Sequence, residues 1–395
     1  MSTRLFAAAV FAAALPIAYA QTLTLPCSVV SDEFAGNKSV SVNGESELTS
    51  DLVFTCTNGE LTIASPPTIH LNIEMFLNTN LTSRLDNTHG LVDTILLLDE
   101  PAAAEQAAGV NVFQGTLGAN NLATWTNIPL PGGKHTYRIT NIRANAHMID
   151  VVGSHVLATL NVNGSDGLSF TGSNVPLAFI ATPMEFLSSQ ILSTVAVESG
   201  LKLEFAEQYL GAFKKRIENT SGPFTFQYQD TPGLNYCTES GFTPKYQALP
   251  IPGEIGLADT GTRLLATLSN LPPSVFTLIV PFQVTSTFGL LVAHLVIPPY
   301  GPNHEFGTVS TFTGTSAVMV NPVSHTAEVL YEIAAAAPYA GKNGCGVTET
   351  ISIPVIPFFQ TSLASATVTG VLAPDDPTSS LPVASGTAPL PRFVH

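Results

Sequence analysis

The sequence predicts an all-β protein of two β-sandwich-like domains joined near a single short helix. Three observations carry this prediction. Apolar and polar residues alternate at a period of two in several segments. Proline and glycine punctuate the chain throughout, with 29 Pro and 30 Gly among 395 residues. Strands recur about every ten residues between such turns, a spacing typical of sandwiches.

The first 20 residues have the pattern of a secretory signal peptide. Arg4 supplies a positive start, Leu5–Ala18 is an apolar run too short to span a bilayer, and Ala18–Ala20 is a small-x-small cleavage site. We therefore expect a mature chain that begins at Gln21 and is secreted, to the extracellular space or the cell surface.

The clearest predicted strands have one apolar and one polar face. They lie at residues 68–75, 155–162, 224–229 and 328–333. In the second of these, Val156, Ala158 and Leu160 share one face and polar residues occupy the other. Gly289–Ile297 is apolar on both faces, which predicts a central, buried strand.

One segment near the middle has helical spacing. Apolar residues recur every three or four positions from Leu203 to Ile217, with cations near the end of the run, as the helix dipole prefers. This spacing predicts a helix over Lys202–Arg216 that connects the two domains. The alternative interpretation is a strand over Leu201–Phe205 followed by a short helix.

These elements predict a domain organisation. Residues 21–197 form an N-terminal β-sandwich domain, and residues 198–373 form a C-terminal β-sandwich domain with a leading helix. Residues 374–395 are rich in Pro, Ser and Thr and show no periodicity. We expect this tail to be a linker or disordered.

The composition excludes two kinds of partner. Charged residues make up only 11% of the chain, against about 25% in ordinary soluble domains. The formal net charge is −15, which repels phosphate backbones and argues against nucleic-acid binding. After the signal peptide, no stretch approaches the ~18 uninterrupted apolar residues of a membrane span, so none is expected.

The four cysteines are Cys27, Cys56, Cys237 and Cys345. An even number in an exported protein suggests two disulfides, for which three pairings are open. We favour Cys27–Cys56 because both residues fall in the early β region, which leaves Cys237–Cys345. No C-x-x-C pair is present, so no zinc site is expected.

Local motifs for catalysis are incomplete. His304 and Glu305 begin like a zincin motif, but Thr308 stands where the second histidine belongs. A G-x-S-x-G elbow, a P-loop and a dinucleotide fingerprint are absent from the sequence. We therefore predict no catalytic residue, no cofactor and no enzymatic activity.

Acidic pairs at strand ends are weak candidates for calcium ligands. Asp99 and Glu100 follow a predicted strand and offer hard oxygen donors. Asp259 and Asp375–Asp376 are similar. The D-x-D-x-D spacing is absent, and Asx-turns explain such acids more simply.

Six phrases stand out together: Phe76–Leu85, Leu96–Pro101, Asn111–Gly115, Arg138–Ala146, Gly256–Arg263 and Ala388–Phe393. In this order they resemble a group of uncharacterised secreted β-rich proteins of acidobacteria, over most of the mature chain. The resemblance implies a secreted bacterial β-protein. Because no function is assigned to that group and no phrase is a catalytic motif, it implies no active residue.

Together these features favour a secreted or cell-surface structural, adhesive or interaction protein without catalysis. Its expected partners are cell-surface polysaccharide or other copies of itself. One alternative is an extracellular carbohydrate-binding module with an aromatic platform around Trp125. The other is a secreted hydrolase whose paired carboxylates come from Asp99, Glu100, Asp230 or Glu239, and a pocket joining two of these acids would favour it.

Overall fold

The computed structural model of the protein is all-β. It describes residues 25–30, 38–58, 68–192, 199–217, 229–234, 237–244, 255–336, 346–358, 362–375 and 384–394. These residues contain strands, turns and bends but no helix, and so no helix suited to crossing a membrane. The expected signal peptide, Cys345 and Asp376 lie outside the described residues, as does most of the predicted strand at 224–229.

The first part of the chain has 13 described strands, of which 11 form one large sheet and two form a separate pair. Its strands are β1 (Cys27–Val30), β2 (Ser39–Ser41), β3 (Glu47–Leu48), β4 (Leu52–Asn58), β5 (Ile69–Leu77), β6 (Leu85–Asp86), β7 (Leu91–Leu98), β8 (Val112–Ala119), β9 (Leu122–Leu130), β10 (Gly133–Thr140), β11 (Arg143–Ala144), β12 (His155–Gly164) and β13 (Ser169–Ala181). The 11-stranded sheet runs β1-β4-β10-β7-β8-β9-β5-β12-β13-β2, with β6 beside β7, while β3 and β11 form a separate pair. Neighbours are antiparallel except β13 and β2.

This sheet curls until its ends approach each other. The Leu25 amide, just before β1, donates to the Ser169 carbonyl of β13 at 3.1 Å. Gly172 of β13 leaves no room for a side chain, since a Cβ there would lie 2.6 Å from Val29. The curled sheet therefore encloses a single apolar core, which we call the first core. It includes Phe54, Leu71, Met75, Trp125 and Leu160.

The second part of the chain forms two further sheets. Its strands are β14 (Met184–Leu192), β15 (Ser199–Glu207), β16 (Arg263–Ser269), β17 (Thr277–Pro281), β18 (Gln283–Thr285), β19 (Leu291–Ile297), β20 (Thr308–Val309), β21 (Thr315–Met319), β22 (Ala327–Ala336), β23 (Thr350–Pro357) and β24 (Thr367–Ala373). One sheet has the order β14-β15-β23-β17-β21, and the other β18-β19-β22-β16-β24 with β20 beside β19. Both contribute to one apolar cluster, the second core, which includes Leu203, Phe205, Leu264, Tyr331 and Ile353.

Several predicted strands are confirmed. The period-two segments at 68–75, 155–162 and 328–333 correspond to β5, β12 and β22. In β12, Val156, Ala158 and Leu160 are buried, as the alternation requires. The predicted strand at Gly289–Ile297 is β19, and it lies between β18 and β22.

The helix predicted over Lys202–Arg216 is wrong. Residues 199–207 form β15, which pairs along its length with β14 and with β23. Leu201, Leu203 and Phe205 are buried on one face, so the segment also satisfies a period of two. The strand forms in preference to a helix because β15 lies between β14 and β23, which satisfy its backbone hydrogen-bonding groups on both sides. The alternative strand over Leu201–Phe205 is confirmed, but turns and bends follow it.

The tail is not a free linker over residues 384–394, which are packed against both parts of the chain. Ala384 belongs to the first core and Phe393 to the second. The Glu45 amide donates to the Arg392 carbonyl at 2.9 Å, and the Phe393 amide donates to Pro374 at 3.0 Å. These contacts hold residues 384–394 without a regular strand, so missing periodicity does not mean disorder.

The two parts of the chain also meet directly. Ile95, Leu97 and Val112 on the outer side of the large sheet form an apolar cluster with Phe242 and Ile255. Beside this cluster Asn141 Nδ2 donates to the Phe242 carbonyl at 2.8 Å. This contact area, which we call the junction, buries polar as well as apolar groups.

Charged groups of both signs are buried at the junction. Arg143, in β11, donates to the carbonyls of Ser46 and Glu239. Burial raises the pKa of Glu47, with the charge of Glu239 acting in the same direction, while Lys214 and Arg143 oppose the rise. These groups come from both parts of the chain, so separating the parts leaves buried charges without their counter-ions.

Candidate ligand-binding cavity

A cavity of about 750 Å³ opens where the two parts of the chain meet residues 384–394. Its wall is rich in guanidinium groups, with four of the seven arginines of the sequence. The charged residues that line it are Arg84, Arg216, Arg263, Arg392, Asp259, Glu305 and Asp375. A concave site with a few convergent polar groups is the usual form of a small-ligand site.

Asp259 connects three segments at this cavity. Arg84 Nη2, from the first part of the chain, lies 3.1 Å from Asp259 Oδ1 and 3.2 Å from Oδ2. The Leu390 amide donates to Asp259 Oδ2 at 2.9 Å, and the Asp259 amide donates back to Leu390 at 2.8 Å. Arg216 Nη1 donates to the Asp259 carbonyl at 2.6 Å. Asp259 therefore fixes the relative positions of two cavity arginines.

Arg263 holds the loop that forms one rim of the cavity. It lies on β16 directly opposite Glu332 of β22. Its Nε donates to Glu332 Oε2 at 2.9 Å, and its Nη1 donates to the carbonyls of His304 and Phe306. Both ionic side chains are almost fully buried. Phe306 belongs to this anchored loop, is 67% exposed and lies at the edge of the cavity.

Arg392 is also paired with a carboxylate. Its Nε lies 3.1 Å from Glu45 Oε2, and both side chains are only 3% exposed. Arg216 is more open, at 36% side-chain exposure, and its Nε lies 3.8 Å from Glu332 Oε1. Each of the four arginines in the wall therefore contacts a carboxylate of the protein itself.

His304 lies behind the wall, between two carboxylates. Its Nδ1 is 2.6 Å from Asp375 Oδ1 and its Nε2 is 3.3 Å from Glu328 Oε2. Burial by itself lowers the pKa of His304, but these hydrogen bonds outweigh it and raise the pKa to about 9. The ring is thus an imidazolium at neutral pH, and it donates to both acids and accepts no proton.

The calcium candidates Asp99 and Glu100 are engaged within the protein. Asp99 Oδ2 lies 2.7 Å from His135 Nδ1, and its Oδ1 accepts the Thr136 amide at 3.0 Å. Glu100 Oε1 accepts from Arg138 Nη2 at 2.6 Å. Neither residue lines the cavity. Across the described parts of the chain, no three His, Cys, Asp or Glu residues are arranged to hold a metal ion.

The structure does not bring the proposed hydrolase acids together in this cavity. Glu239 is buried at the junction, where its Oε1 accepts from Thr262 Oγ1 at 2.7 Å. Asp230 lies beside Gln106, whose Nε2 donates to the Asp230 backbone carbonyl at 2.8 Å. Asp259 and Asp375, the further calcium candidates among the described residues, line the cavity instead.

Trp125 is not an aromatic platform. It is 2% exposed and its indole Nε1 donates to the Phe113 carbonyl at 3.3 Å. Sequence reasoning missed Phe306 and the four arginines. The sequence did hold one signal for three of these arginines. Each lies in one of the phrases on which the resemblance rests, namely Phe76–Leu85, Gly256–Arg263 and Ala388–Phe393.

The cysteines are placed as far as the described residues allow. Cys27 of β1 and Cys56 of β4 are opposite each other in register and form a disulfide, as predicted. Cys237 is also disulfide-bonded. Its pairing with Cys345 stays a prediction, since Cys345 is outside the described residues.

Comparisons with known proteins identify no family. No family model and no curated protein matches the chain. Among solved structures, a collagen adhesin from S. aureus is similar at 10% identity and TM-score 0.16, over 95% of this chain and 93% of that one. A viral chemokine-binding protein encoded by the rodent gammaherpesvirus Peru is similar at 8% identity and TM-score 0.14, over 90% of this chain and 93% of that one. At these TM-scores neither similarity carries an argument about fold or function.

Proposed function

We propose that this chain is a secreted, non-catalytic binding protein whose cavity takes an uncharged, hydroxyl-rich ligand of the oligosaccharide class. The observation that carries the proposal is the pairing within the cavity wall. Arg84, Arg216, Arg263 and Arg392 each contact a carboxylate of the protein. An ionic ligand would have to compete with these internal counter-ions, whereas a neutral ligand does not.

The remaining features of the cavity suit a sugar. Guanidinium, carboxylate and amide groups are planar and offer several donors and acceptors that an internal ion pair does not exhaust. Phe306 adds an exposed apolar ring at the rim. The volume of about 750 Å³ lies within the ~300–1,000 Å³ of typical small-ligand sites.

The same geometry favours binding over hydrolysis. Hydrolysis by paired acids requires one carboxyl group to give up a proton and another to act as base or nucleophile. Here Asp259 accepts from Arg84 and Asp375 from His304. His304, with its pKa of about 9, is a poor general base at neutral pH.

The proposal includes location and domain organisation. A signal peptide at residues 1–20 and the Cys27–Cys56 disulfide both suit an extracellular protein. The two cores suit two β-rich domains, and we place their boundary between β13 and β14, earlier than residue 197, because β14 pairs with β15 of the second part. Residues 384–394 then complete both domains.

Isothermal titration of the purified mature chain with neutral and uronate-containing oligosaccharides tests the ligand class. We expect neutral oligosaccharides to bind and Phe306→Ala to weaken binding about tenfold, the effect of losing an aromatic contact of roughly 1–1.5 kcal/mol. Phe312→Ala is the matched control, because Phe312 is 62% exposed and does not line the cavity.

Three results would contradict the proposal. They are binding confined to anionic ligands, equal effects of the two phenylalanine substitutions, and turnover of a glycoside that Asp259→Asn or Asp375→Asn abolishes. The last result would favour the hydrolase alternative.

A further inference from the structure

Among the described strands, β21 is an edge strand that lacks the charges and prolines that usually protect such an edge. It ends its sheet, and among the described strands it pairs only with β17. Its five residues, Thr315–Met319, include no charge and no proline. Natural edge strands are normally blocked by charges, prolines, bulges or a covering segment, because their free N–H and C=O groups invite pairing with another chain.

The outer face beside β21 is apolar. Ile279 of β17 is in register with Ala317 on one side and with Ile356 of β23 on the other. In the next row Thr277 faces Met319, and the Phe358 amide donates to Thr277 at 3.0 Å. Met319 is 71% exposed, and Phe358 is 56% exposed. A contiguous exposed apolar surface of this kind marks an interaction site more often than scattered apolar residues do.

We propose that two copies of this chain associate by antiparallel pairing of β21 with β21, with Ala317 opposite its own copy. Thr315, Ala317 and Met319 are exposed, while Ser316 and Val318 are half-buried. Pairing about Ala317 sets Thr315 against Met319 of the partner. Because side chains alternate at a period of two, this register keeps outward residues on one face. The interface is then isologous, as in most two-fold dimers.

Charge favours a second copy as the occupant. The chain carries a formal charge of −15, so most of its surface repels an identical molecule. β17, β21 and β23 contain no Asp, Glu, Lys or Arg. Two copies that meet here bring no like charges together and cover the exposed apolar rows of both. The proposal does not rest on any ligand of the cavity.

Sedimentation velocity over a range of concentrations tests the association. We expect the mature chain to show a reversible dimer, and Ala317→Lys to weaken it at least tenfold. Leu187→Lys is the matched control, because Leu187 is a 53% exposed residue of β14, at the opposite edge of the same sheet. Circular dichroism checks that both variants fold.

Cysteine cross-linking tests the register. Directly opposed residues in an antiparallel pair have Cα atoms about 4.5–5.5 Å apart, within disulfide range. Ala317→Cys should therefore give a covalent dimer on oxidation, whereas Thr315→Cys should not, since it lies opposite Met319 of the partner. A wild-type chain that stays monomeric at every concentration overturns the proposal, and so does equal cross-linking of both variants.

Discussion

At the residue scale, His304 shows how a single proton contributes to the cavity wall. Its imidazolium joins Asp375, two residues after β24, to Glu328 of β22. The same residue accepts a hydrogen bond from Arg263 through its carbonyl. One side chain thus connects the rim loop to two neighbouring segments, and this connection depends on its charge.

The charge of His304 predicts a pH-dependent stability. Its pKa is about 9 in the folded chain, against 6.5 for an ordinary histidine, so the folded state binds the proton more tightly than the unfolded chain does. The resulting stabilisation is complete below about pH 6.5 and is lost as the pH rises through 9. Urea unfolding should show His304→Gln less stable than wild type by about 2–3 kcal/mol at pH 6, with the difference closing near pH 10.

A matched control separates this effect from other titrations. His70→Gln is the control, because His70 is exposed on β5 and makes none of the contacts of His304 with Asp375 and Glu328. Comparing variants at each pH is necessary because Lys38 acts in the opposite direction: burial lowers its pKa to about 7, so its effect on stability grows more favourable as pH rises above 7. A constant difference between His304→Gln and wild type would contradict the assignment.

At the element scale, the sequence predicts strands better than it predicts what joins them. β5, β12 and β22 are predictable because burial on a sheet imposes a period of two on their own residues, and β19 is predictable because it is apolar on both faces. β15 resembles a helix in sequence because Leu203 begins an apolar run with helical spacing up to Ile217, although Leu201, Leu203 and Phe205 also fit a period of two. The deciding partner, β23, lies about 150 residues further along the chain, and local periodicity holds no information about it.

The cavity was unpredictable for a similar reason. Arg84, Arg216, Arg263 and Arg392 are far apart in sequence, and only the packing of the two parts of the chain brings them together. Outside the cavity, the sequence did predict one covalent contact correctly, because the expected Cys27–Cys56 disulfide is present. The expected role of Trp125 failed because alternation on β9 points it into the first core.

The disulfide gives a prediction for β1. This strand is the outermost of its sheet and pairs with β4 over four residues. Cys27 and Cys56 are 29 residues apart, and closing a loop of that size lowers the entropy of the unfolded chain, which stabilises the folded state by about 3.6 kcal/mol. Urea unfolding of the Cys27→Ala/Cys56→Ala variant without reductant should show a loss of this order. A loss below about 1 kcal/mol would mean that β1 contributes little.

At the scale of the whole molecule, the junction couples the two cores. Arg143 is 1% exposed and interacts with Glu47, Glu239 and Asp93. Burial raises the pKa of Asp93 to about 6, although the charges of Arg143 and Arg84 oppose that rise. Removing this cation leaves buried carboxylates without compensation, which typically costs about 3–5 kcal/mol.

Calorimetry can detect this coupling. We expect the wild-type chain to unfold in a single transition and Arg143→Met to unfold at a lower temperature in two, because the substitution weakens the junction more than either core. Lys134→Met is the control, since Lys134 is exposed on β10. Two transitions already in the wild-type chain would show that the junction does not couple the cores.

Residues 384–394 have a consequence for the order of folding. Ala384 enters the first core and Phe393 the second, although the strands of the first core end at Ala181. Ribosomes add residues from the amino to the carboxyl end, so the second part of the chain is synthesised before the first core receives Ala384. We therefore expect the nascent chain to depend on holding factors until residues 384–394 have emerged from the ribosome, and its early part to remain sensitive to proteases until then.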